Sequence, residues 1–176
     1  MIGKFVTEIG QILGKSPADV VFDLVDEEHN QVNEVDFGMS EDDIEFIMQK
    51  PYVMPGSDGE AYSLDFPGQP HPRNFGTFPK ILAHYCRDRK LFTLEEAVRK
   101  MTSLPASRIG LDDRGVLKEQ MWADIVVFDL EKLQSLPTYE EPKQPCAGID
   151  HVFVNGVLTA ENGRHTGVRA GKIIRR

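Results

Sequence analysis

The chain has 176 residues, of which 40% are hydrophobic and 27% are charged, and its net charge is −8. This length and composition are those of a globular protein with a substantial core. The negative charge excludes a surface built for nucleic acid or an anionic membrane, because either partner requires clustered Lys and Arg. Cys86 and Cys146 lie far apart, and no apolar run reaches the roughly 20 residues of a membrane span. We therefore predict a cytoplasmic protein with free thiols and neither nucleic-acid nor membrane partners.

Helix signals alternate with short apolar segments in the first third of the chain. Residues 4–13 place apolar side chains at helical spacing. Ser16 and Ser40 are each followed by an acidic residue three positions on, which is typical of a helix N-cap. Short apolar strands are predicted after these helices, at residues 32–37 and 52–54. This alternation predicts parallel strands with covering helices.

The pattern changes from helical to strand-like near residue 110. Helices are predicted at residues 79–89 and, after the N-cap Thr93, up to residue 101. Beyond this point, residues 125–128 form a strand-like apolar run, and Asn155 with Gly156 provides a strong hairpin signal. We therefore predict one domain over residues 1–110 and a strand-bearing segment over residues 111–176.

An acidic turn follows the predicted strand at residues 52–54. Asp58 stands between Ser57 and Gly59. A carboxylate just past the carboxyl end of a parallel strand lies where barrel enzymes place catalytic groups. Ser, Asp and Gly are also common in ordinary turns. Asp58 is therefore either a catalytic carboxylate or a turn residue.

A candidate anion-binding arginine follows in a loop that contains Pro67, Pro70 and Pro72. The guanidinium of Arg73 can bind a carboxylate through two parallel hydrogen bonds, which lysine cannot reproduce. The alternative is a surface ion pair with Glu60 or Asp65. Together, Asp58 and Arg73 suit an anionic substrate held near a carboxylate that transfers protons.

The histidines do not form a metal-binding pattern. The five histidines include no His-x-His pair and no His-x-x-x-His pair. A self-contained zinc site requires three or four converging ligands. We therefore expect no zinc to bind tightly to this chain alone.

Residues 71–80, His-Pro-Arg-Asn-Phe-Gly-Thr-Phe-Pro-Lys, resemble an active-site loop of the N-acyl-D-amino-acid deacylases (D-aminoacylases), which belong to the amidohydrolase superfamily. Residues 93–106 resemble the helix that leads out of the barrel in that superfamily. Further matches resemble its small β-sandwich, at residues 115–117, 122–129, 152–157 and 163–167. The resemblance covers nearly the whole chain. It implies an α/β fold, with the C-terminal portion of a (β/α)8 barrel over residues 1–110 followed by β-sandwich strands.

The resemblance also implies an activity and its residues. The family enzymes use zinc to hydrolyse an N-acyl-D-amino acid to a D-amino acid and a carboxylic acid. By resemblance, Asp58 carries protons and contacts the metal, Arg73 binds the substrate carboxylate, and His71 orients the loop at the substrate.

The metal-binding motifs of the family have no match in this sequence. The resemblance therefore implies the C-terminal part of such an enzyme, inactive without the missing half. Its partner would be a complementing chain that carries this half, or a second copy of itself. The alternative is a non-catalytic remnant or interaction module of amidohydrolase origin.

Overall fold

The computed structural model describes residues 3–32 and 34–174. The chain divides after Gly38 into two compact units. Both contain helices, and the second also contains an antiparallel sheet, so the fold is α/β. No helix in the described part of the chain combines the length and apolar character required to cross a membrane. The boundary near residue 110 stays a prediction.

The first unit is a pair of helices, α1 (Val6–Leu13) and α2 (Pro17–Glu27). Ser16 caps α2, since its Oγ accepts the N–H of Asp19 at 3.2 Å. Gly10 permits a tight link between the helices, because a Cβ there would lie 2.8 Å from the carbonyl oxygen of Lys15. The prediction of these two helices is confirmed.

The two strands predicted before residue 55 are wrong. Residues 32, 34–37 and 52–54 form no strand, and Asn33 lies outside the described residues. Tyr52, in the second of these segments, is 73% exposed. A strand requires a neighbouring segment that pairs with its backbone N–H and C=O groups. No described segment pairs with these residues, so their apolar sequence alone does not make them strands.

The second unit begins with α3 (Glu41–Met48), whose N-cap is the predicted Ser40. The helix α4 (Arg73–Lys80) continues directly into a π-helix (Ile81–Asp88). The helix predicted at residues 79–89 therefore begins earlier than expected, with Pro79 in its interior. Proline has no N–H to donate to the carbonyl four residues before it. The thiol of Cys146 donates to that carbonyl, on Phe75, at 3.3 Å.

Two further helices follow, α5 (Leu94–Met101) and α6 (Ser103–Ile109). Thr93 caps α5 as predicted, since its Oγ1 accepts the N–H of Glu96 at 3.3 Å. Gly110 ends α6 in the left-handed conformation, with φ 73°. No further helix follows this glycine among the described residues.

Four antiparallel strands form the sheet in chain order: β1 (Ile125–Phe128), β2 (Ile149–Val154), β3 (Val157–Glu161) and β4 (Arg164–His165). Asn155 and Gly156 have positive φ values of 50° and 80°, as a type I′ turn requires. The predicted hairpin is therefore confirmed. Among the described residues there is this one sheet, so the second layer of a sandwich is not observed.

The main core lies between the π-helix, α5 and the sheet. Its buried members are Leu82, Ala83, Cys86, Ala97 and Leu133. Phe128 of β1 and Ile149 of β2 pack against them. This core fixes the π-helix, and thereby α4, at a defined place in the second unit.

Candidate active site

Asp58 lies in a tight turn of the second unit. Its backbone has φ 49°, a left-handed conformation that Asp tolerates better than most residues. The N–H of Gly59 donates to Oγ of Ser57 at 3.2 Å and closes the turn. The Asp58 side chain is 86% exposed. Its carboxylate is therefore open to a ligand.

Arg73 is the first residue of α4. The prolines that precede it had predicted a loop at this position, and this prediction is wrong. Its Nη1 lies 2.9 Å from Oδ2 of Asp58. The surface alternative had paired Arg73 with Glu60 or Asp65, and the observed partner is Asp58. The structure therefore brings together the two residues that the sequence marked as an anion-binding group and a proton carrier.

His71 contacts the start of the same helix. Its Nδ1 accepts the backbone N–H of Arg73 at 3.0 Å, which satisfies a donor that the helix leaves without a partner. The ring also lies edge-on to Tyr139, with 5.2 Å between the ring centroids. Burial, together with the charge of Arg73, lowers the pKa of His71 below its usual value. The neutral imidazole with Nδ1 as acceptor is the form that this contact requires.

Asn74 is a site residue that the sequence analysis missed. Its side chain contacts the backbone of Glu60 at 2.6 Å and of His71 at 2.9 Å. Glu60 is close to Asp58 along the chain, and His71 is close to Arg73. Asn74 thus joins the two segments that carry the candidate groups. Its place beside Arg73 in the His-Pro-Arg stretch was the only signal for it in the sequence.

The position of α4 is fixed by the long connection between β1 and β2. Oγ of Ser135 donates to the carbonyl of Gly76 at 3.0 Å. A Cβ at Gly76 would lie 2.4 Å from this oxygen and 3.2 Å from Pro137, so only glycine fits without rearrangement. These contacts hold the helix that presents Arg73.

An open cavity of about 800 Å³ lies beside α4. Arg73 and His71 line it together with the apolar side chains of Met39, Ile44 and Ile81. This volume and this mixture of apolar and charged groups are typical of a small-molecule site. Its lining thus places the cationic side chain of Arg73 beside apolar side chains.

A complete metal site is not found in the described residues. No group of three or more His, Cys, Asp or Glu side chains converges there. The contact of Asp58 with a metal therefore stays a prediction. Cys86 and Cys146 are free, and burial raises the pKa of both thiols.

Comparison with known proteins gives consistent matches. The sequence profile of the Amidohydrolase family matches residues 30–160. A D-aminoacylase of Alcaligenes xylosoxydans xylosoxydans is 41% identical over 174 residues, which are 99% of this chain and 34% of the relative. A solved D-aminoacylase, studied for the functional role of its binuclear metal center, is 41% identical and matches with a TM-score of 0.86. The match covers 99% of this chain and 35% of the D-aminoacylase chain.

A third match is a crystal structure of the N-acyl-D-glutamate deacylase of Bordetella bronchiseptica, complexed with zinc and a phosphonate that mimics the tetrahedral intermediate of the reaction. Its sequence is 35% identical, and its structure matches with a TM-score of 0.77. The match covers 93% of this chain and 33% of the deacylase chain. The chain therefore spans about a third of the length of the relatives that it matches.

Proposed function

The chain belongs to the Amidohydrolase family, and from this premise we propose that it is part of an N-acyl-D-amino-acid deacylase. The reaction is hydrolysis of the amide bond, with a D-amino acid and a carboxylic acid as products. Arg73 binds the α-carboxylate of the substrate, and Asp58 exchanges protons at the amide. His71 positions Arg73 at the edge of the cavity.

The observation that carries this proposal is the 2.9 Å contact between Arg73 and Asp58. In an N-acyl amino acid, the α-carboxylate and the amide nitrogen are attached to the same carbon atom. A group that binds the carboxylate and a group that protonates the departing nitrogen must therefore lie side by side. The two side chains have this spacing.

The ion pair between the two residues can give way to a substrate. Both side chains are exposed, at 43% for Arg73 and 86% for Asp58. An exposed ion pair contributes only about 0–1 kcal/mol. A substrate carboxylate that binds the guanidinium through two hydrogen bonds can compete with it, because paired charge-assisted bonds are stronger than a single exposed contact. Its arrival would also release the carboxylate of Asp58 for proton transfer.

Asp58 has the chemistry of a general base that becomes a general acid. An ionised carboxylate accepts a proton from the attacking water, and the same group returns the proton to the departing amine. Arg73 contributes by fixing the substrate, so that the amide is presented to Asp58 in one geometry. These two steps use only residues of this chain.

The described residues do not fit a complete metal site, because they offer no cluster of three ligands. We propose that Asp58 supplies one contact to a zinc ion, whose other ligands come from a complementing chain that carries the missing half. The free thiols of Cys86 and Cys146 support the proposed cytoplasmic location, which is a reducing compartment.

The substitution Arg73→Lys tests the proposal because it keeps the charge and removes the two-point contact. We expect the affinity for N-acetyl-D-leucine to fall by about 10- to 150-fold, the equivalent of about 1.5–3 kcal/mol for a hydrogen bond to a charged group. The affinity for N-acetyl-D-leucine amide should change little, since this ligand has no carboxylate. Isothermal titration calorimetry on the chain measures both affinities.

The matched control is Arg164→Lys in β4, which makes the same exchange at an exposed position of the sheet. Its affinities should equal those of the unsubstituted chain. If Arg73→Lys kept the preference for the carboxylate ligand over the amide, Arg73 would be a surface residue and the proposed role would be withdrawn.

A further inference from the structure

Asn74 has an amide side chain with two backbone partners on different segments. Its Oδ1 accepts the N–H of Glu60 at 2.6 Å, and its Nδ2 donates to the carbonyl of His71 at 2.9 Å. A backbone N–H can only donate and a backbone carbonyl can only accept, so these partners fix the orientation of the amide. We propose that Asn74 is a positioning residue that holds Asp58 and Arg73 at contact distance. This inference rests on the proposed function, in which the spacing of these two residues decides how substrate binds.

The contact with Glu60 distinguishes this role from ordinary helix capping. A bond from Asn74 to the carbonyl of His71, three residues earlier, is a local contact that a turn residue can make. The bond to Glu60 reaches 14 residues back along the chain. It has no function in forming α4. Its effect is to fix the segment that carries Asp58 against the start of the helix that carries Arg73.

At Gly59, the backbone of the Asp58 turn lies close to the start of α4. A Cβ at this position would lie 2.9 Å from Oδ1 of Asn74, 3.1 Å from its Cα and 3.3 Å from the carbonyl oxygen of Arg73. Two of these three atoms are backbone atoms that cannot move independently. Any side chain at residue 59 would therefore push the Asp58 turn away from α4.

The ion pair is too weak to set the spacing by itself. Asp58 and Arg73 are both exposed, and exposed pairs are screened by water and salt. Asn74 is partly buried, and its amide makes both bonds at once. The amide therefore fixes the geometry, and the charged pair forms within it.

The test uses two variants that act on the same link from opposite sides. Asn74→Leu keeps the side-chain size and removes both hydrogen bonds. Gly59→Ala keeps the asparagine at position 74 and obstructs the approach of the Asp58 turn to it. The matched control is Gly56→Ala, because a Cβ at Gly56 meets no atom within 4 Å. Circular dichroism with urea unfolding verifies that each variant is folded.

The first measurement needs no ligand. The NMR signal of the Arg73 Nε–H group is compared with its position in Asp58→Asn, where the partner charge is removed. In Asn74→Leu and Gly59→Ala we expect this signal to move toward the Asp58→Asn position, and in Gly56→Ala we expect it to stay. An unchanged Arg73 signal in folded Asn74→Leu would overturn the positioning role.

The second measurement separates positioning from a general structural effect. The preference for N-acetyl-D-leucine over its amide should fall by about 10- to 100-fold in Asn74→Leu, because the arginine is misplaced. The amide itself should bind as before. Equal weakening of both ligands would show a purely structural role and overturn the inference. If the unsubstituted chain had no preference for the carboxylate, the proposed function would fail, and the Arg73 signal would still decide the role of Asn74.

Discussion

The sheet of residues 125–165 and the site segments of residues 50–80 are held together by different kinds of bond. In the sheet, β2 pairs with β1 and β3 through backbone ladders. In the site segments, side chains of α5 bind backbone carbonyls of residues 50–53, which lead to the Asp58 turn. Lys100 donates to the carbonyls of Lys50 and Val53, and Arg99 donates to that of Pro51 at 2.6 Å.

Because different bonds hold the two regions, a substitution can alter the site and leave the rest of the second unit unchanged. A backbone ladder continues through successive residues and depends little on individual side chains. The carbonyls of residues 50–53 depend on two cationic side chains, and Lys100 is only 3% exposed. Burial lowers the pKa of this lysine, and its carbonyl partners compensate part of the desolvation. We therefore expect substitutions at the site to affect ligand binding and substitutions at the sheet to affect stability.

The largest expected effect separates function from stability. Asp58→Asn keeps the shape of the side chain and removes the carboxylate that we propose as the proton acceptor. Turnover of N-acetyl-D-leucine, by the chain or by its complex with a complementing half, should fall by about 10²- to 10⁴-fold, the range for loss of a general acid–base group. Product release measured by chromatography gives the rate. The control Asp65→Asn removes a nearby carboxylate and should keep full turnover.

The free energy of unfolding should change little in Asp58→Asn, because the side chain is exposed. Equal turnover in the Asp58→Asn and Asp65→Asn variants would contradict the assignment of Asp58. A large loss of stability would contradict the separation between the site and the sheet.

The second prediction concerns the start of β2. Gly148 has φ 80°, and a Cβ there would lie 2.6 Å from both N and Cα of Leu133, a fully buried core residue. We expect Gly148→Ala to destabilise the second unit by about 3–4 kcal/mol, as the sum of left-handed strain and overpacking. Urea unfolding measures this free energy.

The matched control for this substitution is Gly167→Ala. Gly167 has a similar φ of 85°, and a Cβ there meets no atom within 4 Å. The free energy of unfolding of the Gly167→Ala variant should fall by only about 1–2 kcal/mol, which is the cost of left-handed strain. If both variants lost the same free energy, contact with Leu133 would not matter, and the sheet would not depend on this packing.

The sequence predicted those features that are determined by neighbouring residues. The N-caps Ser16, Ser40 and Thr93 and the turn at Asn155 act within a few residues, and all are confirmed. The strand at residues 52–54 failed because a strand is defined by its pairing partner, which the local sequence does not contain.

The site was predicted in part for the same reason. Asp58 and Arg73 were recognised by their chemistry and by a family resemblance, and the structure places them in contact. Asn74 was missed because its partner Glu60 lies 14 residues away, at a distance that no local pattern reports. The catalytic roles of Asp58, Arg73 and His71 stay predictions.

The smallest expected effect concerns the pH dependence of stability. It involves a hydrogen bond from a backbone N–H to a histidine Nδ1, which occurs in both regions. Nδ1 of His71 accepts the N–H of Arg73 at 3.0 Å in the site, and Nδ1 of His165 accepts the N–H of Gly167 at 2.9 Å beside the sheet. Because burial and Arg73 lower the pKa of His71, its neutral form is favoured in the folded state. The stability from this form is fully present above the unfolded pKa of about 6.5, and it is lost as the pH falls through the lower folded value.

Protonated Nδ1 cannot accept the N–H of Arg73, and the imidazolium would also repel the guanidinium. We expect the loss to be about 1 kcal/mol, that of one hydrogen bond. Urea unfolding between about pH 5 and pH 7.5 measures it, around the ordinary histidine pKa. His71→Asn places a carbonyl oxygen near Nδ1 and does not titrate, so it should remove this part of the pH dependence. His165→Asn makes the same exchange and keeps His71, so the part of the acid decline that comes from His71 should remain. A full acid decline in His71→Asn would show that a group other than His71 causes it.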